Sequence, residues 1–274
     1  MKIHLLAIDL DGTLLNTAKR ITQPTAAAIA AARKAGVRVV LASARPPRTV
    51  LPYYAQLELD APMINYNGAL VFDPPSSRVL MHRPVPAKVA RGIAVLAREQ
   101  YADVLVSAEI LDRWYTDRVD SAYLTETARL YKPDLIAPMD RWLSEAVTKL
   151  LLLGEPARLA ELIGPIHKHF THQVSVVQTE EFLLQIMHAT VSKLQALRVV
   201  AAELGVTREQ VMAIGDNAND VGMLSWAGTS AAMANATREA LAAADFITDH
   251  NDADGVAEAI QKAIFDGRHQ TRRM

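Results

Sequence analysis

The feature that most constrains the fold is an apolar run that ends in acid. Leu5 to Ile8 is uninterrupted hydrocarbon; Asp9 and Asp11 follow, one residue apart, and then Gly12 and Thr13, in "LLAIDLDGTLL". A run this short and this apolar reads as a strand covered on both faces, as in a parallel sheet with helices on each side. The next segments agree. "TQPTAAAIAAARKAG" reads as a helix, with a threonine ahead of Pro24, basic residues near its end and Gly36 as its stop. "VRVVLAS" is a second strand and "APMINYNG" contains a third. Strand, helix, strand with short joins is the unit of a parallel α/β sheet.

The C-terminal portion repeats this style. "SKLQALRVVAAELG" reads as an amphipathic helix with Ser192 as N-cap and Gly205 just past its end. "QVMAIGD" is a strand that again ends in acid, "TSAAMAN" and "DFIT" are short strands, and "DGVAEAIQKAIFDG" is a last helix. The middle differs, with denser aromatics and prolines. "AKVARGIAVLAREQYA" and "PARLAELIGPIHKHF" read as helices, "TKLLLLG" as a strand, and "QVSVVQTEEFLLQIM" as a hairpin turning at Thr179-Glu180-Glu181. The expected fold class is therefore α/β: a doubly wound, Rossmann-like parallel sheet of residues 1–83 and 189–274, with an α+β module of residues 84–188 inserted. Such an insertion, placed at strand ends, is suited to act as a lid. The tail "GRHQTRRM" reads as frayed.

Composition narrows the function. In 274 residues, 22% are charged and the net charge is −1, which gives no electrostatic footprint for nucleic acid or an anionic membrane. There is no cysteine, so disulfides, zinc-thiolate sites and thiol catalysis are excluded. The start of the chain lacks the apolar region of a signal peptide, and its apolar runs fall far short of the about 18 residues of a membrane span. The expectation is a soluble, cytoplasmic protein, with monomer and dimer both open.

Open parallel sheets bind ligands at the carboxyl ends of their strands. Four polar clusters fall there: Asp9 with Asp11; Ser43 with Arg45; Lys193 in the first turn of a helix; and Asp216, Asn219 and Asp220 in "GDNAND". Acids crowded at a buried tip repel and are costly to desolvate, so they call for a cation. Oxygen-only ligands favour magnesium over zinc. A cation with one lysine and one hydroxyl suits a phosphate group. A carboxylate can attack phosphorus and a second can shuttle the proton.

At this point the chain resembles the haloacid dehalogenase superfamily of phosphatases, through "DLDGTLL", the hydroxyl strand end, the later lysine and "GDNAND". "NYNGAL", the large insertion, "AMANA" and "DADGVAEAI" resemble its Cof-type subfamily, whose members carry an α+β cap and hydrolyse small phosphate esters such as sugar phosphates. The resemblance implies Mg2+ as cofactor and a small phosphorylated metabolite as partner. It implies Asp9 as nucleophile and metal ligand, and Asp11 as general acid/base with its carbonyl on the metal. Ser43, with the Ala44 N–H, would bind the phosphoryl group, and Lys193 would hold phosphate and nucleophile together. Asp216 would be a direct metal ligand, Asn219 would touch phosphate, and Asp220 would support the metal shell or Lys193. The Leu10 N–H would face phosphate and Asn67 would line the substrate entrance. The chain departs from the family pattern at three places: Ala44 and Leu194 stand where glycine is usual, and Gln185 with "HAT" (residues 188–190) replaces the usual approach to the lysine. A methyl at position 44 crowds the phosphate loop if that residue needs positive φ.

Other features have plainer readings. His167, His169 and His172 read as a solvated helix end, Trp114 and Tyr115 as core of the inserted module, and "RPPR" as the opening of a helix that carries Arg48. Phosphoryl transfer to a sugar hydroxyl and ligand binding without turnover are competing functions. A phospho-acceptor receiver leaves Asp11 and the insertion without a role.

Overall fold

The computed structural model describes residues 2–267; the tail from Arg268 on lies outside the described residues. The chain forms two compact units, one of residues up to Met81 and from Ser192 on, the other of His82–Val191.

The first unit opens with β1 (Leu5–Asp9), α1 (Gln23–Lys34), β2 (Arg38–Ala42), α2 (Pro47–Gln56), β3 (Met63–Asn65), β4 (Leu70–Asp73) and β5 (Arg78–His82). α1 begins where the Thr22 hydroxyl accepts the Thr25 N–H and ends before Gly36 at φ +89°.

The second unit holds α3 (Ala87–Gln100), β6 (Leu105–Ile110), β7 (Arg113–Thr116), α4 (Glu126–Leu130), β8 (Leu135–Ile136), β9 (Lys149–Leu153), α5 (Pro156–Phe170), β10 (Val174–Glu180) and β11 (Leu183–His188). Its sheet runs β10-β11-β9-β6-β7-β8, antiparallel except for the β7/β8 pair. Alternate residues Val106, Ala108, Leu150, Leu152, Leu184 and Ile186 meet Ile93 of α3 and Leu159, Leu162 and Ile166 of α5 in one core. Tyr115 stacks on Trp142 and Trp114 donates its indole N–H to the Ser107 hydroxyl, so both are internal to this unit. His167, His169 and His172 are exposed at the end of α5. The hairpin turns at Glu181 and Phe182, not one position earlier. An irregularity between Gln178 and Glu180 puts an extra residue in β10 and carries the strand past the expected turn.

The chain then returns to the first unit with α6 (Lys193–Glu203), β12 (Val211–Gly215), α7 (Val221–Trp226), β13 (Thr229–Ala232), α8 (Arg238–Ala243), β14 (Phe246–Ile247) and α9 (Gly255–Ile260); α9 passes into one π-helical turn, Gln261–Phe265, where a single helix was expected. The sheet order is β14-β13-β12-β1-β2-β3-β4-β5, parallel from β14 to β3 and antiparallel at β3/β4. Leu6 and Ile8 of β1 join one core with Ile29, Val50 and Ile260; Leu5 and Ala7 join the other with Ala196, Leu197 and Val200 of α6. That two-sided burial is why β1 is apolar throughout. No helix among the described residues is long and apolar enough to cross a membrane.

Candidate active site

β1 lies between β12 and β2, and the chain order reverses there, which is the switch point at which open α/β sheets bind ligands. Register sets what stands at the tips. Ile8 pairs with Ile214, so Asp9 lies beside Gly215 and just before Asp216; Asp9 also pairs with Ala42, just before Ser43. Asp9 continues the parity of Leu5 and Ala7, the face that α6 covers. Lys193 is the first residue of α6, started by Ser192, whose hydroxyl accepts the Gln195 N–H.

Lys193 is fully buried and donates to two carboxylates: Nζ lies 2.5 Å from Asp9 Oδ1 and 2.7 Å from Asp220 Oδ1. The other oxygen of Asp220 accepts the backbone N–H groups of Asp216 (3.1 Å) and Asn217 (3.0 Å). Both Asp220 oxygens are thus used in holding the turn and the lysine. Gly215 makes this possible, since a Cβ there would stand 2.6 Å from Asp220 Cβ. Asp216 accepts the Thr13 hydroxyl at 2.8 Å. Gly12, at φ +79°, lies so close that a Cβ would be 2.4 Å from Asp216 Oδ2.

Asp11 faces cations. Arg45 Nε reaches Oδ2 at 2.6 Å and Nη2 reaches Oδ1 at 2.5 Å, while Lys19 Nζ lies 2.7 Å from Oδ1. Sequence reading grouped Arg45 with Ser43 and missed Lys19 and Thr13. Lys19 sits in the loop after the motif, and Thr13 belongs to "DLDGT" itself, so its place in the motif was a usable signal.

Ser43 is buried and its hydroxyl accepts the Arg45 N–H at 3.1 Å, which leaves the oxygen fixed and its own proton able to donate. Ala44 is exposed and is not among the residues at positive φ, so the crowding anticipated for its methyl group does not arise. Three successive residues, Tyr66, Asn67 and Gly68, are left-handed at φ +51°, +54° and +99°. The N–H groups of Tyr66 and Asn67 donate to the carbonyls of Arg45 and Ser43, which holds this costly turn against the loop after β2. Asn67 Oδ1 accepts from Asn219 Nδ2 at 2.9 Å, so these two predicted residues meet each other. Leu10 is fully buried and its carbonyl accepts the Leu15 N–H. Leu194 is accommodated because Gly222 offers no side chain: a Cβ there would sit 3.2 Å from Leu194 Cβ.

Electrostatics decide what the cluster can hold. Asp9, Asp216 and Asp220 can each place one oxygen within 4.8 Å of the others, and among the described residues they are the group able to hold a metal ion. Like charges at such separations repel by about 3–4 kcal/mol per pair at an effective dielectric of 20. One lysine does not offset three such acids. Burial pushes the Asp9 carboxyl well above its usual range; Lys193 opposes this, and Asp220 and Asp216 add to it. Burial raises Asp216 too, against the pull of the Thr13 hydroxyl. Lys193 loses charge stability by burial, but Asp9 and Asp220 more than restore it and hold the ammonium above its ordinary value. A divalent cation would relieve the remaining repulsion, and an all-oxygen donor set fits a hard ion. With Asp220 occupied, Asp9 and Asp216 are the side chains to carry it.

The chain belongs to the haloacid dehalogenase-like hydrolase family, which it matches over residues 6–260. The 5-amino-6-(5-phospho-D-ribitylamino)uracil phosphatase YitU of Bacillus subtilis is 30% identical to it over 271 residues, 95% of this chain and 97% of that protein. Pyridoxal phosphate phosphatase YbhA of Escherichia coli is 27% identical over 95% of this chain and 98% of its own length. The crystal structure of a haloacid dehalogenase-like hydrolase from Bacteroides thetaiotaomicron superposes with a TM-score of 0.86 at 30% identity, over 96% of this chain and 100% of that one. The protein is accordingly an enzyme of the phosphatase class, a hydrolase of phosphoric monoesters.

Proposed function

We propose that the chain hydrolyses small phosphorylated metabolites, sugar phosphates foremost, with magnesium and through a phosphorylated Asp9. The observation that carries this reading is the double grip of buried Lys193 on Asp9 and Asp220 beside Asp216. It leaves a nucleophilic carboxylate, oriented by an ammonium, in a place that needs a cation. The relatives named for pyridoxal phosphate and a phosphoribitylaminouracil support a small phosphorylated partner.

In the first half-reaction an Asp9 oxygen forms a bond to phosphorus and the ester oxygen leaves, taking a proton from Asp11. In the second, water attacks the phosphorus of the aspartyl-phosphate and gives its proton to Asp11; Asp9 is regenerated and inorganic phosphate departs. Lys193 holds Asp9 and offsets charge on the phosphoryl group. The Ser43 hydroxyl, the Ala44 and Leu10 N–H groups and Asn219 bind its oxygens. Magnesium, held by Asp9, Asp216 and the Asp11 carbonyl, supplies charge neutralisation.

Phosphate release from p-nitrophenyl phosphate and a panel of sugar, nucleotide and pyridoxal phosphates, with magnesium and with EDTA, tests the reading. Magnesium-dependent release, highest on sugar phosphates and abolished by Asp9→Asn, is expected. A folded, magnesium-binding protein that releases phosphate from none of them would refute it.

A further inference from the structure

The C-terminal signature stretches "AMANA" and "DADG" have no part in the chemistry above, yet they converge on the loop that carries Asp11. Asn235 Nδ2 donates to the Gly12 carbonyl at 2.8 Å. The Asn251 N–H donates to Asn235 Oδ1 at 3.0 Å, and Asn251 Nδ2 donates to the Leu15 carbonyl at 2.8 Å. Further along, Asp252 accepts both the N–H and the hydroxyl of Thr17, at 2.7 and 2.6 Å. Asp254 accepts the hydroxyls of Thr22, the N-cap of α1, and Thr25.

The Asn235 bond lies nearest the chemistry. The Gly12 backbone packs directly on the Asp216 carboxylate, and the adjacent Thr13 hydroxyl bonds to that carboxylate. Whatever fixes the Gly12 peptide therefore fixes the separation of Asp11 from Asp216. An amide is the right group for this: it donates to a carbonyl and accepts an N–H at once, which a carboxylate cannot do.

We propose that Asn235 and Asn251 are positioning residues for the reaction, an amide pair that holds the Gly12–Leu15 backbone so that Asp11 and Asp216 stand at working distance. This rests on the hydrolase reading above. Displacements of about 1 Å at a reacting centre cost on the order of 100-fold in rate.

The test uses the full chain with magnesium and p-nitrophenyl phosphate. Asn235→Asp and Asn251→Asp keep size and lose the donor. Tyr54→Phe, which removes a buried hydrogen bond to the Ala61 carbonyl in the same unit, serves as the matched control. Peptide-resolved hydrogen exchange of residues 12–20 is followed alongside. Both asparagine variants are expected to lose about 10–100-fold in kcat with KM held within about threefold. Amide exchange in the loop should quicken, and Tm should fall no further than in the control. Unchanged kcat, or kcat lost only in step with Tm, would make the pair mere fastening and overturn the proposal. If the wild-type chain releases no phosphate, the hydrolase reading fails on its own; unchanged exchange in the loop would then still overturn the positioning role, and faster exchange would support it.

Discussion

Asp11 and Arg45 meet as a two-pronged ion pair, Nε to Oδ2 at 2.6 Å and Nη2 to Oδ1 at 2.5 Å. Burial alone would raise the Asp11 carboxyl; the hydrogen bonds of Arg45 and then Lys19 reverse this and hold it below the usual carboxylate range. The ionised form suits the proposed second half-reaction, in which Asp11 takes a proton from water; the first needs Asp11 protonated, and so needs its pairs with Arg45 and Lys19 to loosen when substrate binds. Arg45→Met should raise the pH at which Asp11 titrates, Lys19→Met should do so less, and Arg45→Lys should fall between wild type and Arg45→Met because it keeps the charge and loses the fork. The carboxyl carbon shift of Asp11, followed by NMR in metal-free protein, checks the order. Because its folded value is depressed, the stability that Asp11 contributes is present above its unfolded value and is lost as pH falls through the folded one.

Lys193 is the only cation that touches both Asp9 and Asp220 among the described contacts. Lys193→Met leaves two buried carboxylates uncompensated, and a loss of about 3–5 kcal/mol in urea unfolding is expected. The sign with pH follows from its raised value. The contribution is complete below the ordinary lysine value of 10.5 and is lost as pH rises through the higher folded value. The gap between wild type and variant should therefore hold steady from neutral pH towards 10.5 and close only above it.

Asp9 titrates above its ordinary 3.8, so its ionisation destabilises the metal-free protein as pH rises through the raised value. Magnesium should reverse that loss, by about 2.7 kcal/mol at a concentration of about 100 Kd. Asp216→Asn should leave the metal-free protein at least as stable as wild type and remove most of the magnesium gain. Thermal scans with and without magnesium measure both, and an undiminished shift in the variant would remove Asp216 from the metal site.

Gly68 and Gly36 separate strain from contact. Both have positive φ, +99° and +89°, but a Cβ at Gly68 would lie 2.3 Å from the Ser192 carbonyl oxygen while one at Gly36 meets nothing within 4 Å. Gly36→Ala should cost about 1 kcal/mol. Gly68→Ala should cost about 1–3 kcal/mol more, and should lower kcat besides, because Ser192 precedes Lys193. Denaturant unfolding paired with steady-state rates distinguishes the two.

The strand tips were legible because parallel order follows from apolar runs broken by helices, and order places Asp9, Ser43 and Asp216 side by side. Ser192 as a cap announced the start of α6, and hence Lys193. Side-chain direction was less legible. Arg45 turns to Asp11 rather than Ser43, and its reach depends on a loop conformation that local pattern does not encode. Asn235 lies 223 positions from Gly12, and their bond exists only once the sheet has brought both ends of the chain together. The condition for crowding at Ala44 is not met, because the loop after β2 keeps that residue out of the left-handed region and the left-handed turn falls at Tyr66–Gly68 instead.

The proposed reaction turns on transfer of the phosphoryl group to Asp9. Wild-type protein turned over with magnesium and p-nitrophenyl phosphate, quenched in acid and digested, should yield the peptide containing Asp9 with the mass of one phosphoryl group added, and Asp9→Asn or EDTA should abolish it. Sustained phosphate release by Asp9→Asn, with no phosphorylated aspartate in the wild type, would rule out Asp9 as the nucleophile.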